Sequence, residues 1–191
     1  MAPRRTAEFM IVNRRSKKAL QVTGAGDGLV VEQHTPTGED NQVWTKEKTG
    51  TCVKLINKGT GKVLDVMNEG TVNGTWAQTW RDVDGASQQW KIIDVTITYK
   101  KLLNVRANKV LDVVDMSSED GAPAQIWEDV DGVGQQWKLV QVNKPEKQEK
   151  KPTAKKPAKK KAAEVIDPKR PQIPEATPRK RGRPRKNPVE E

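Results

Sequence analysis

The sequence predicts an all-β protein, a closed architecture with threefold pseudo-symmetry, followed by a disordered basic tail. Three observations carry this prediction. A Gln-x-Trp triplet recurs three times at nearly constant spacing, as Gln42-Val43-Trp44, Gln88-Gln89-Trp90 and Gln135-Gln136-Trp137, with steps of 46 and 47 residues. The same region is built of short β-branched runs separated by glycines, and no window of a dozen residues carries an amphipathic helical stripe. Charge divides sharply at Val142: residues 1–142 hold 18 basic and 18 acidic residues, whereas residues 143–191 hold 17 and 7, so the whole net charge of +10 lies in the last 49 residues. All eight aromatics precede residue 138, and nine of the twelve prolines follow Val142. The front is long enough to bury a core, and the tail is too polar to do so.

Each repeat contains further matching elements. Upstream of the triplets lie Ile11 to Val22 (IVNRRSKKALQV), Leu55 to Val66 (LINKGTGKVLDV) and Leu102 to Val113 (LLNVRANKVLDV), in each of which two apolar residues precede Asn13, Asn57 or Asn104. Ten residues before each triplet tryptophan stand His34, Trp80 and Trp127. The runs Phe9–Asn13, Leu29–Gln33, Thr51–Asn57, Ile93–Leu103 and Lys138–Val142 read as strands. About four strands per repeat, closed on themselves, would leave no exposed sheet edge. A small propeller is the rival, but three blades fall below the usual number. Trp44, Trp90 and Trp137 are expected to fill the centre.

Composition removes several functions. One cysteine, Cys52, allows no internal disulfide, and with a single histidine, His34, it excludes the usual four-ligand thiolate metal sites. The apolar run Phe9–Val12 is too short for a signal peptide or a membrane span, so a soluble intracellular protein without membrane contact is expected. The turns Asp82-Val83-Asp84-Gly85 and Asp129-Val130-Asp131-Gly132 lack the closing glutamate of a calcium loop, whose place falls at Ile93 and Val140, and read as plain Asp-Gly turns. No nucleophile motif or phosphate loop is present, and neither catalysis nor a cofactor is expected.

The triple Gln-x-Trp pattern, with Leu-Asp-Val upstream in two copies, resembles the ricin B-chain type of β-trefoil lectin domain over residues 6–142. The resemblance implies a β-trefoil of twelve strands, in repeats of about 6–50, 51–97 and 98–142, with up to three shallow sugar pockets. A pyranose offers adjacent hydroxyls and an apolar C–H face; a carboxylate, an amide and an aromatic platform hold it well. Asp65, Gln78, Trp80 and Gln88 fill those roles in repeat two, and Asp112, Gln125, Trp127 and Gln135 in repeat three, by resemblance the hydroxyl-binding Asp, the pocket Gln, the stacking aromatic and the Gln of Gln-x-Trp. Repeat one carries Gln21, Glu32 and His34 at the first three positions, and its pocket is read as inactive. The family's frequent Asn before the Gln of the triplet is Asn41 here, replaced by Ser87 and Gly134. Two alternatives stay open: Trp80 and Trp127 as partly buried packing, and Asp65 and Asp112 as turn-tethering side chains. Trp76 aligns with Pro123 and is expected at an exposed rim.

After residues 1–5, expected to be disordered, and the 6–142 domain, residues 143–177 form a Lys/Ala/Pro tether similar to linker-histone tails, expected to be extended and disordered. Residues 178–187 hold Pro178-Arg179-Lys180-Arg181-Gly182-Arg183-Pro184-Arg185-Lys186, which resembles the AT-hook of high-mobility-group A proteins; an acidic end, 188–191, follows. That resemblance implies binding in the minor groove of A·T-rich double-stranded DNA. The narrow A·T groove has enhanced negative potential that attracts Arg181 and Arg183. Gly182 permits close backbone approach and Pro184 keeps the segment extended, while Arg179, Lys180, Arg185 and Lys186 neutralise phosphates. A nuclear-localisation or nonspecific polybasic segment is the plainer alternative. The expected protein is thus a DNA-associated, monomeric binding protein, in the nucleus of a eukaryote or the nucleoid of a bacterium. Its trefoil is either a sugar-binding module or, in a chromosome-associated architectural protein, a structural or protein-interaction module.

Overall fold

The computed structural model describes residues 7–142. They form twelve strands: β1 (Phe9–Asn13), β2 (Ala19–Val22), β3 (Leu29–His34), β4 (Val43–Thr49), β5 (Cys52–Asn57), β6 (Val63–Val66), β7 (Thr75–Trp80), β8 (Trp90–Asp94), β9 (Lys100–Asn104), β10 (Lys109–Val113), β11 (Ala122–Trp127) and β12 (Trp137–Gln141). Short 3₁₀ turns lie between them, and no α-helix occurs among the described residues, so none there is long and apolar enough to cross a membrane.

Six strands close a barrel through the antiparallel pairings β1–β4, β4–β5, β5–β8, β8–β9, β9–β12 and β12–β1. The remaining six form three hairpins, β2–β3, β6–β7 and β10–β11, which join each other through β3–β7, β7–β11 and β11–β3 into a triangular cap. This is a β-trefoil. Every repeat pairs with both others, which excludes separate propeller blades. The closing pair runs from Phe9↔Gln141 to Asn13↔Trp137, so the first and last strands lie side by side.

The repeated sequence elements are the devices that hold this arrangement. Trp44, Trp90 and Trp137 are fully buried at the centre. Their indole N–H groups donate to Leu20 O, Leu64 O and Leu111 O at 3.3, 3.0 and 3.0 Å, which satisfies the one polar atom each carries inward. Asn13, Asn57 and Asn104 are buried, and each Nδ2 donates to a carbonyl beside the preceding triplet: Gly134 O at 2.7 Å, Asn41 O at 2.9 Å and Ser87 O at 2.7 Å. Each asparagine thereby fastens one repeat to the one before it.

One strand expectation fails. Ile93–Leu103 is not one strand: β8 ends at Asp94, β9 begins at Lys100, and Val95–Tyr99 turns between them. Its β-branched residues look like strand, but the Thr96 hydroxyl accepts from Thr98 N and Tyr99 N, and Val95 N and Thr96 N both donate to Tyr99 O. A threonine can supply that side-chain turn as serine does. Ile97, at the tip, is fully exposed.

Candidate carbohydrate site

Register assembles the candidate sites. Asp65 of β6 stands opposite Gln78 of β7, and Asp112 of β10 opposite Gln125 of β11. Directly opposed residues share one face of a hairpin, and so do residues two apart on a strand, which brings Trp80 and Trp127 to the same face as their glutamines. Asp65, Gln78 and Trp80 line one cleft of about 210 Å³, together with Asn68, Glu69, Val83 and Ser87. Asp112, Gln125 and Trp127 line another of about 470 Å³, with Val113, Asp115, Met116 and Val130. Both indoles are half-buried.

The fourth member of each set lies elsewhere. Gln88 and Gln135 are buried, and their amides bond mainly to the loop that follows the platform strand. Gln88 Nε2 donates to Arg81 O at 2.9 Å and its Oε1 accepts from Val83 N at 2.9 Å. Gln135 Nε2 donates to Glu128 O at 2.8 Å and reaches Asp112 Oδ2 at 3.3 Å, while its Oε1 accepts from Val130 N at 3.0 Å. These glutamines fix the loop that carries Val83 or Val130 into the cleft.

The two carboxylates differ. Asp65 Oδ2 accepts from Gln78 Nε2 at 3.0 Å, whereas Asp65 Oδ1 is buried without a hydrogen-bond partner. Asp112 Oδ1 accepts from Val113 N at 2.7 Å. Burial pushes the Asp112 carboxyl above the ordinary carboxylate value, more than the hydrogen bonds from Val113 and Gln135 pull it down.

In repeat one the corresponding side chains bond to one another. Gln42 Nε2 donates to Gln21 Oε1 at 2.8 Å, and the His34 ring lies 3.1 Å from the Glu32 carboxylate. A separate cleft beside them is lined by Val22–Ala25, Asn41, Gly59 and Thr60.

The acidic turns hold a cation of the protein's own. Lys54 Nζ lies 2.9 Å from Asp82 and 2.8 Å from Asp84, and Lys101 Nζ 2.7 Å from both Asp129 and Asp131. Among the described residues no cluster of three or more acidic, His or Cys side chains is arranged for a metal. The left-handed residues of these turns are Asp84 and Asp131, not the glycines after them.

Sequence reasoning did not single out the residues that connect β6 to β7 and β10 to β11. Asn68, Glu69, Asp115 and Met116 all have left-handed backbone, with φ between 50° and 53°, and stand at the rims of the clefts. No glycine stands at these four positions; Asn68 and Asp115 are of the types that enter this conformation most readily after glycine, whereas Glu69 and Met116 give no sign of it. Trp76 is 45% exposed and sits opposite Gln125 in the β7–β11 pairing. The expected DNA-binding residues, 179–186, lie outside the described residues.

Comparison with known proteins agrees with this fold. The chain matches the family described as ricin-type beta-trefoil lectin domain-like in three overlapping stretches, residues 2–80, 41–127 and 86–148. The designed threefold-symmetric protein ThreeFoil is 35% identical over 70% of this chain and 97% of its own, with a TM-score of 0.68. An exo-β-1,3-galactanase from Clostridium thermocellum is 32% identical over 74% of this chain but only 31% of its own, with a TM-score of 0.70. The ricin B-like lectin of Macrolepiota procera, solved with lactose, is 20% identical over 70% of this chain and 94% of its own; at a TM-score of 0.62 it shares the fold. No curated protein matches.

Proposed function

Because this chain belongs to the ricin-type β-trefoil lectin family, we propose that it is a non-enzymatic carbohydrate-binding protein whose tail binds A·T-rich DNA. The observation that carries the sugar reading is Asp65 Oδ1: a buried acceptor without a partner, beside an indole, on the wall of an open cleft. A buried acceptor left unpaired costs about 1–3 kcal/mol, and a ligand hydroxyl would remove that cost. Asp65 and Asp112 accept from sugar hydroxyls, Gln78 and Gln125 bond to neighbouring hydroxyls, and Trp80 and Trp127 lie against the C–H face. Gln88 and Gln135 position the rim loops and act through them. The galactanase's activity belongs to an enzyme of which this chain spans about a third.

The DNA reading rests on the sequence of residues 178–187, where the Arg181-Gly182-Arg183-Pro184 core keeps basic residues on both flanks. On this reading the protein is intracellular and DNA-associated. A glycan array probed with the full chain, against an Asp65→Ala/Asp112→Ala control, tests the sugar half. Binding that the double substitution abolishes supports it. Binding indifferent to the substitution, or none, leaves the trefoil as a structural body on a DNA-binding tail.

A further inference from the structure

The two clefts share a plan but not a chemistry, and the difference falls on a few aligned positions. Where repeat two has Ser87, repeat three has Gly134; a Cβ there would lie 3.6 Å from Asp112 Oδ1 and 3.9 Å from Met116 Cγ, so the missing side chain opens the space between them. Where repeat two has Glu69, repeat three has Met116, with the same left-handed backbone. Glu69 is held by Arg106, whose Nη2 lies 3.1 Å from its carboxylate and whose Nε donates to its carbonyl at 2.9 Å. Arg81 lies 5.9 Å over the Trp80 ring, and the aligned neighbour of Trp127 is Glu128. The second cleft is thus small and bordered by the Glu69–Arg106 pair, whereas the third has Asp115 in place of Asn68, and Arg15, the counterpart of Arg106, lies with its Nη1 3.7 Å from the Met116 sulfur. The third is more than twice as large, about 470 against 210 Å³, and presents Met116, 57% exposed, where the second has Glu69; Val130 and Val83 border the two clefts alike.

Resting on the carbohydrate reading above, we propose that the third cleft selects a pyranoside bearing a methyl-containing substituent, an acetamido group or a 6-deoxy carbon. The second takes the unsubstituted, hydroxyl-rich sugar. With the ring against Trp127 and its hydroxyls at Asp112 and Gln125, a substituent directed toward Gly134 meets the Met116 side chain. Covering one methyl-sized group there is worth about a fourfold gain in affinity. The same group in the second cleft meets Ser87 and the Glu69–Arg106 pair, whose hydration it would disturb; Val83, the counterpart of Val130, borders this cleft as Val130 borders the other and does not discriminate between them.

The indole N–H signals of Trp80 and Trp127 in a nitrogen–proton correlation spectrum of the full chain report each cleft separately. The probes are methyl glucoside and methyl galactoside, each with its 2-acetamido and its 6-deoxy counterpart. The expected result is a gain of about fourfold at Trp127 for a methyl-bearing member over its parent, with no gain at Trp80. The acetamido and deoxy arms show which substituent is selected. Gly134→Ser, the residue repeat two already carries at this position, should erase the gain while leaving the parent sugar bound; Gly134→Ser with Met116→Glu should make the two clefts alike. Parent sugars binding Trp127 as tightly as every substituted form, or an equal gain at both indoles, overturns the selectivity while leaving the lectin reading standing. Neither indole responding to any sugar overturns both.

Discussion

Asp65 and Asp112 occupy equivalent positions but are not equivalent acids. Burial raises the folded-state value of Asp112, so its ionised form costs stability above that value, and the cost is relieved as pH falls toward the unfolded value. Sugar hydroxyls donate to the ionised form, and protonation withdraws the acceptor. Acidification should therefore release a sugar from the third cleft at a pH above the ordinary aspartate range; a titration of the Trp127 signal against pH checks this. Lys101 works in the other direction. Burial alone would lower it, but the carboxylates of Asp129 and Asp131 outweigh burial and raise it, while Lys101 in turn draws Asp129 down against its own desolvation. The group contributes stability between the two: it is lost as pH falls through the depressed Asp129 value and as pH rises through the raised lysine value. Lys101→Met, the residue type repeat one has as Met10, should cost about 1 kcal/mol in neutral urea unfolding, because both aspartates are solvent-exposed enough to be screened. The difference should shrink in strong acid. None of this was legible as such: the sequence displayed the acidic turns but not the ammonium they enclose.

At the scale of the elements, the hairpins of the cap are held by a threefold staple. Asp27, Asn73 and Asp120 accept from the backbone N–H of Arg81, Glu128 and Thr35, each in the next repeat around the axis. The residue after each is a left-handed glycine, Gly28, Gly74 or Gly121, whose N–H donates to Thr79 O, Ile126 O or Gln33 O. An added Cβ at Gly121 meets nothing within 4 Å, whereas at Gly28 it would lie 3.2 Å from the Trp80 ring. Gly121→Ala should cost only the left-handed backbone penalty of about 1–2 kcal/mol. Gly28→Ala should cost more and shift the Trp80 indole signal; thermal unfolding with the same spectrum separates the two effects. The Gln-x-Trp triplets and the three asparagines were legible because they repeat with identical chemistry. The staple was hidden because Asp and Asn serve alike, and the β8–β9 turn because Thr96 performs a polar role inside a β-branched run.

For the whole molecule, the trefoil could be read because three copies confirmed one another, and the Asp, Gln and Trp that line each of the two clefts because two copies kept the same spacing. What spacing could not give was the difference in room between Ser87 and Gly134. The divided charge carries its own prediction: duplex binding should reside in residues 143–191 and prefer A·T-rich sequence. If all six basic residues of 178–187 met phosphates, the log–log salt slope would be about −5, from roughly −0.9 per contact. Arg181→Ala with Arg183→Ala should remove the A·T preference and leave salt-sensitive affinity from the lysines of residues 144–161. Gly182→Val should act similarly with no change of charge. Fluorescence anisotropy with A·T-rich and G·C-rich duplexes at about 150 mM salt decides it, equal affinity leaving only a polybasic tail.

The pairing of β1 with β12 makes the order of the chain a matter of convention. Val142 N donates to Glu8 O at 3.1 Å, so the two ends of the trefoil already touch, and the fold is a ring with a seam whose position nothing in the core records. The seam could lie in any repeat. A variant in which a short linker joins residues 142 and 7, and the chain opens instead at the fully exposed tip around Ile97, breaks no core contact and should melt near the parent temperature. Its tail would then follow a different repeat, and the point at which residues 143–191 join the trefoil could be moved without altering one residue of either cleft.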